Sequence, residues 1–135
     1  MTLSIMSTFG VTSQFDNNSV TINSQSYKSQ NYLVESDWSS ASYHFTIASL
    51  LPGSEIRLNH FFKSSLQGDS AIVKMAEAFG VESTFEGSQL IIRSNIGHQS
   101  SFSYNYIKQP DLAQTLAVMG AAKNMNLQFN GLKTL

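Results

Sequence analysis

The sequence contains no cysteine, which removes a disulfide framework, thiolate metal ligation and a thiol nucleophile while leaving the compartment open. Charge is scarce too: 13% of residues are charged and the formal net charge is −1. No basic surface is available to neutralise a nucleic-acid backbone, and no acidic tail invites a basic partner. Nucleic-acid binding is not expected. No apolar run approaches the length that spans a bilayer, and a polar, uncharged stretch follows Met1 in place of a basic region before an apolar core. A soluble, cytoplasmic protein without membrane contact is expected. Serine is abundant yet scattered among Val, Ile, Leu and Phe, and reads as turns and caps.

What is present is a repeat. "FGVTSQF" at 9–15 returns as "FGVESTF" at 79–85, and the alignment runs on without a gap through "DNNSVTIN" and "EGSQLIIR", pairing Val11 with Val81, Ser13 with Ser83 and Ile22 with Ile92. This period is too long for a solenoid and suits a compact α/β unit used more than once. With 135 residues and 41% hydrophobic content, the chain can bury one ordinary core.

The spacing of Leu3, Ile5, Met6 and Phe9 predicts a helix under way at residue 2 and stopped at Gly10. Strands are expected at 11–15 and at "SVTIN", with a further extended piece at "NYLVE" that enters the next unit. In that unit Ser39 or Ser40 would cap a helix carrying Ala41, Phe45, Ala48 and Leu51 on its apolar side, ended by Pro52-Gly53. "SEIRLNHF" alternates as a half-buried strand. Asp69 or Ser70 would cap a second helix with Ile72, Met75, Ala76 and Phe79 on one face, and strands "VESTF" and "SQLIIRS" follow. A third start reads strand "SFSYNYI", helix "PDLAQTLAVMGAAKN" and strand "MNLQFNGL". The pattern implies an α/β fold of repeated β-α-β-α-β-β units, with the chain beginning and ending mid-unit.

Few residues carry chemistry on pattern alone. Asp111 follows Pro110 at a helix start with Gln114 three positions on. It reads either as the N-cap of a capping box or as a carboxylate that accepts a proton from a substrate hydroxyl. Asp37 has the same two readings, closing a turn or facing the same cleft. His44, His60 and His98 have no metal-ligand spacing and read as structural or surface residues. "SLQGDS" lacks the Lys of a phosphate loop, Trp38 reads as a packing residue, and Tyr104 and Tyr106 lack the basic neighbours of a stacking platform. The repeat also puts the helix starts near Ser40, Ser70 and Asp111 at similar ends of parallel helices, where their dipoles would favour a phosphate or carboxylate.

"YLVESDWSSASYHFTIASLLPGSEIRL" resembles a stretch of the 3-phosphoshikimate 1-carboxyvinyltransferases, or EPSP synthases, through Tyr32, Val34, Glu35, Asp37, Ser39, Ser40, Ala41, Ser42 and Tyr43. "SLQGD" and "PDLAQTLA" stand in the same order and at similar distances in that family. The resemblance implies two lobes, each of three β-α-β-α-β-β units. Residues 1–34 would end the last unit of one lobe, 35–98 would form a complete unit of the other, and 99–135 would begin the next. It further implies an enzyme acting without metal or organic cofactor, as a cytoplasmic monomer, on shikimate 3-phosphate and phosphoenolpyruvate, joining the 5-hydroxyl of the first to the enolpyruvyl group of the second with loss of phosphate. Asp111 matches the family's Asp of the Pro-Asp helix start, which binds the ring hydroxyls and accepts the proton. Asp37 matches the Asp of the Ser-Ser-Ala motif and is a candidate lining the cleft. Thr134 stands where family members often place an Asn that touches the shikimate phosphate, and is a further substrate-binding candidate. The family's other basic and serine motifs would lie outside this chain, so the isolated chain is expected to have no transferase activity. A related transferase acting on UDP-N-acetylglucosamine, and a non-catalytic binding module of the same fold, are the alternative readings.

Overall fold

The computed structural model describes residues 1–95 and 97–133, and the chain falls into two compact units, Met1–Val34 and Glu35–Leu135. The family-matched position Thr134 therefore lies outside the described residues. Among those described, no helix is long and apolar enough to cross a membrane.

In the first unit, helix α1 (Thr2–Thr8) half-buries Leu3, Ile5 and Met6, and ends before Gly10, whose φ of 82° lets the chain reverse. Strands β1 (Gln14–Asp16) and β2 (Ser19–Thr21) form an antiparallel hairpin, pairing Phe15 with Val20. The amide of Gln25 takes the place of a neighbouring strand for Thr12, accepting from its N–H and donating to its C=O, each at 2.8 Å.

The second unit opens with α2 (Trp38–Leu50), whose Ala41, Phe45 and Ala48 recur on one face and are at most 1% exposed. Leu51, expected on that face, lies beyond the helix end and is exposed. Strand β3 (Glu55–Asn59) turns Ile56 and Leu58 inward. The expected second helix is not one regular α-helix. Only Ile72–Met75, helix α3, is α-helical, between 3-10 turns at Gly68–Ala71 and Ala76–Phe79. The Ser70 hydroxyl donates back to the Gln67 carbonyl at 2.8 Å, the kind of local bond that competes with helical pairing. Its predicted apolar face, Ile72, Met75, Ala76 and Phe79, is nonetheless buried.

Gly80, at φ 78°, ends this segment, and β4 (Val81–Glu86) and β5 (Gln89–Ser94) follow as a hairpin beside β3, in the antiparallel order β3-β5-β4. The repeated letters build the same object twice. Phe85 pairs with Leu90 as Phe15 pairs with Val20, and the turn residues Gly87 and Asn17 both have positive φ. Burial differs, however: Leu90 and Ile92 are fully buried, whereas Phe15, Val20 and Ile22 are exposed. Strand β5 has β3 as a second neighbour, and β2 has no second neighbour among the described residues. The unit closes with β6 (Ser101–Asn105), α4 (Leu112–Ala122) and β7 (Asn126–Asn130). Strands β6 and β7 pair in parallel across the helix, as a βαβ crossover requires.

The core gathers Trp38, Phe45, Phe79, Leu90, Ile92, Leu112, Leu116 and Met119 between helices and sheets. One expected strand is absent: residues 31–35 form no ladder, and Leu33 and Val34 are exposed. Alternation favours a strand, but only a paired neighbour makes one, and that stretch has none among the described residues.

Candidate active site

The helix starts of the second unit supply the candidate site. Asp37, not Ser39 or Ser40, is the N-cap of α2. Its backbone is extended (φ −75°, ψ 118°), and its carboxylate accepts from Ser39 N–H at 3.0 Å, Ser40 N–H at 3.3 Å and the Ser40 hydroxyl at 2.6 Å. The Ser40 hydroxyl, foremost, holds the Asp37 carboxyl below the usual carboxylate range, and the Ser39 and Ser40 amides add to it against a small desolvation. Replacing Asp37 by Ala should cost about 1 kcal/mol through loss of the cap. A folded-state pKa below the unfolded one stabilises above about pH 4 and loses that contribution as pH falls through the lowered value. The difference in melting temperature between the native chain and Asp37→Ala is therefore expected at pH 7 and should shrink below pH 4. An equal difference at both would contradict the cap.

Asp69 and Ser70 do not cap the neighbouring turn, which Gln67 precedes without a side-chain cap. Asp69 instead accepts the Ser39 hydroxyl at 2.5 Å, and Gln67 accepts from Trp38 N–H at 3.0 Å while donating to the Ser36 carbonyl at 2.9 Å. These bonds bring the starts of α2 and of the 68–71 turn together. A buried contact of 3.0 Å between Ser42 Oγ and Thr115 Oγ1 brings in the start of α4. Ser42 and Thr115 both lie in the N-terminal part of their helices, which pack together there. The middle segment contributes little dipole, since its α-helical part is only four residues long.

The capping box expected at Asp111 and Gln114 does not form. Asp111 already has helical backbone angles (φ −61°, ψ −28°), and its side chain caps no amide. A residue in that conformation aims its carboxylate away from the N2 and N3 amides that a cap must reach. Of the three carboxylates at these helix starts, Asp37 and Asp69 are engaged, and Asp111 is exposed with no side-chain hydrogen bond or ion pair among the described residues. Such a group is free to accept a proton or hydrogen bonds from a ligand.

Elsewhere the other flagged residues take packing or surface roles. Trp38 is fully buried edge-on to Phe61. Tyr106 is fully buried at the start of a 3-10 turn, where burial pushes its phenol up. His98 bonds the adjacent Gln99 carbonyl, and among the described residues no three His, Asp or Glu side chains are grouped to hold a metal ion.

The family model for EPSP synthase (3-phosphoshikimate 1-carboxyvinyltransferase) matches residues 1–135. The chain belongs to the EPSP synthase family. It is 33% identical over its whole length to a 3-phosphoshikimate 1-carboxyvinyltransferase of Bacteroides fragilis, covering 33% of that protein. Over 90% of its length it is 34% identical to the enzyme so named in Methanosphaera stadtmanae, covering 29% of it. With that of Methanocaldococcus jannaschii it shares 32% identity over 97% of its length, covering 30% of the relative. The chain thus spans about a third of the length of these curated EPSP synthase relatives. The mixed α/β architecture is that expected of an EPSP synthase unit. Sequence reading missed the cross-links from Ser39 to Asp69 and from Ser42 to Thr115. The available signal was a hydroxyl on each buried helix face, Ser42 between Ala41 and Phe45, and Thr115 beside Leu112 and Leu116.

Proposed function

We propose that this chain forms part of an enzyme that transfers the enolpyruvyl group of phosphoenolpyruvate to the 5-hydroxyl of shikimate 3-phosphate and releases phosphate. The family match along the whole chain carries this reading. Addition requires that the attacking hydroxyl lose its proton as its oxygen bonds the vinyl carbon that bears phosphate, while the other vinyl carbon gains a proton. Elimination then removes a proton from that same carbon, breaks the bond from the neighbouring carbon to phosphate and restores the double bond. Asp111, a carboxylate without a partner among the described residues, at a helix start that favours anionic ligands, is our candidate for binding the ring hydroxyls and taking the first proton. Asp37, which caps α2, is the second candidate for lining the substrate cleft. The reading brings with it a cytoplasmic, monomeric enzyme in which residues 1–34 end one lobe while 35–98 and 99–135 begin the other. The compactness of Met1–Val34 and Glu35–Leu135 as separate units supports that division.

The test is phosphate release by the full-length protein that carries this chain, given phosphoenolpyruvate with shikimate 3-phosphate or with UDP-N-acetylglucosamine. Turnover with shikimate 3-phosphate alone is expected. Turnover with the nucleotide sugar alone would move the protein to the related transferase, and silence with both would leave a binding module.

A further inference from the structure

Resting on the role proposed for Asp111, we propose that Thr115 is its positioning residue: a buried hydroxyl relay from Thr115 through Ser42 locks the first turn of α4, and hence the Asp111 carboxylate, against the start of α2. The direction of the relay follows from counting protons. The Ser42 hydroxyl donates its single proton to the Ser39 carbonyl at 2.6 Å, so in the 3.0 Å contact between Ser42 Oγ and Thr115 Oγ1 the donor is Thr115. Ser39 is the anchor. Its amide is capped by Asp37 at 3.0 Å and its own hydroxyl is held by Asp69 at 2.5 Å. Thr115 is 6% exposed and Ser42 2%, so water does not compete for these bonds.

The geometry leaves this work to Thr115. Asp111 has no cap bond to fix its own end of the helix, and Thr115 sits one turn further on, on the same side of the helix. Backbone bonds from Leu112 N–H to the Gln109 carbonyl at 3.3 Å and from Ala113 N–H to the Pro110 carbonyl at 3.0 Å close that turn on itself, and its buried side chains Leu112, Ala113 and Leu116 pack apolar surface. Apolar packing sets depth but tolerates small shifts along the helix axis, whereas a buried hydrogen bond has a narrow range of distance and angle. The Ser42–Thr115 bond is the one side-chain hydrogen bond between α2 and α4 among the described residues. Catalytic groups lose rate steeply when misplaced, by up to about 100-fold for 1 Å.

The experiment combines two readouts. In this chain, amide hydrogen exchange of residues 113–116 should speed up about tenfold in Thr115→Val, which keeps the shape and removes the donor, and in Ser42→Ala, which removes the acceptor. Thr115→Ser should restore protection, and Met119→Leu, a volume-conserving change lower on the same buried face, should leave it unaltered. In the full-length enzyme, Thr115→Val should lower kcat about tenfold with KM for shikimate 3-phosphate within about twofold, and Thr115→Ser should recover it. Unchanged local exchange in both Thr115→Val and Ser42→Ala would overturn the positioning role whatever the activity. Normal kcat in Thr115→Val, or no recovery in Thr115→Ser, would overturn its catalytic consequence. An Asp111→Ala enzyme with normal turnover would instead remove the reading of Asp111 and leave the exchange result to stand alone.

Discussion

Gly80→Ala is expected to destabilise the second unit by roughly 2–5 kcal/mol, the sum of left-handed backbone strain and overpacking. Gly10→Ala, at the equivalent point of the repeat, should cost the first unit only about 1–2 kcal/mol. The two glycines share their sequence context and their backbone, with φ of 78° and 82°. What surrounds them differs. A Cβ on Gly80 would press into the Gly97 carbonyl oxygen and come within 3.2 Å of the Asn95 carbonyl oxygen. Asn95 is held by a backbone bond from its N–H to the Gly80 carbonyl at 2.7 Å, and Gln99 by one from its N–H to the Ala78 carbonyl at 2.8 Å. The nearest atoms to a Cβ on Gly10 would be side-chain methylenes of Lys28, the closest at 2.8 Å, and a lysine stem can swing aside. Urea titration followed by Trp38 fluorescence reads the second unit, and amide signals of Met1–Val34 read the first. Equal losses at the two glycines would show that backbone strain alone matters and that the Asn95 and Gly97 carbonyls yield.

That contrast also marks what could be read from the letters. The repeat and its glycines were legible in the letters, and the structure adds the register: positive φ falls at Asn17 in "DNN" and at Gly87 in "EGS", and Phe15 pairs with Val20 as Phe85 pairs with Leu90. The helices over 38–50 and 112–122 and the strands at 55–59 and 126–130 were legible from period, since each presents one apolar face to the core. Burial of the two hairpins was not, because it depends on a third strand more than twenty residues away.

Caps fell between these cases. "ESDWSS" offers four residues of the cap-forming types, Ser36, Asp37, Ser39 and Ser40, and which becomes the cap turns on which residue keeps extended angles ahead of the first helical turn, here Asp37. At 110–111 the same chemistry pointed to a capping box, yet Asp111 is already helical and its carboxylate is left over. The candidate site was legible only as single residues. Asp111 and Asp37 stood out through a family resemblance, while the bonds that assemble the site join residues 30 and 73 positions apart, which no spacing rule connects.

The second large effect concerns Asp111 itself. Removing a general base costs about 10²–10⁴ in rate. Because this side chain is exposed and makes no bond among the described residues, its removal should leave the melting temperature within a degree or two, in the range of ordinary surface changes. On the role proposed for Asp111, Asp111→Ala should lose both proton acceptance and ring-hydroxyl binding, so kcat should fall and KM for shikimate 3-phosphate should rise. Asp111→Asn keeps a carbonyl oxygen able to accept a hydrogen bond but has no affinity for a proton at neutral pH. It should therefore hold KM near its original value and lose kcat alone, a split that separates chemistry from binding. The most direct measurement is kcat and KM for shikimate 3-phosphate in the full-length Asp111→Asn enzyme, with folding checked by its melting temperature. A kcat lowered at least about 100-fold at nearly constant KM is the expected result, and a folded Asp111→Asn enzyme that turns over at the original rate would contradict the account.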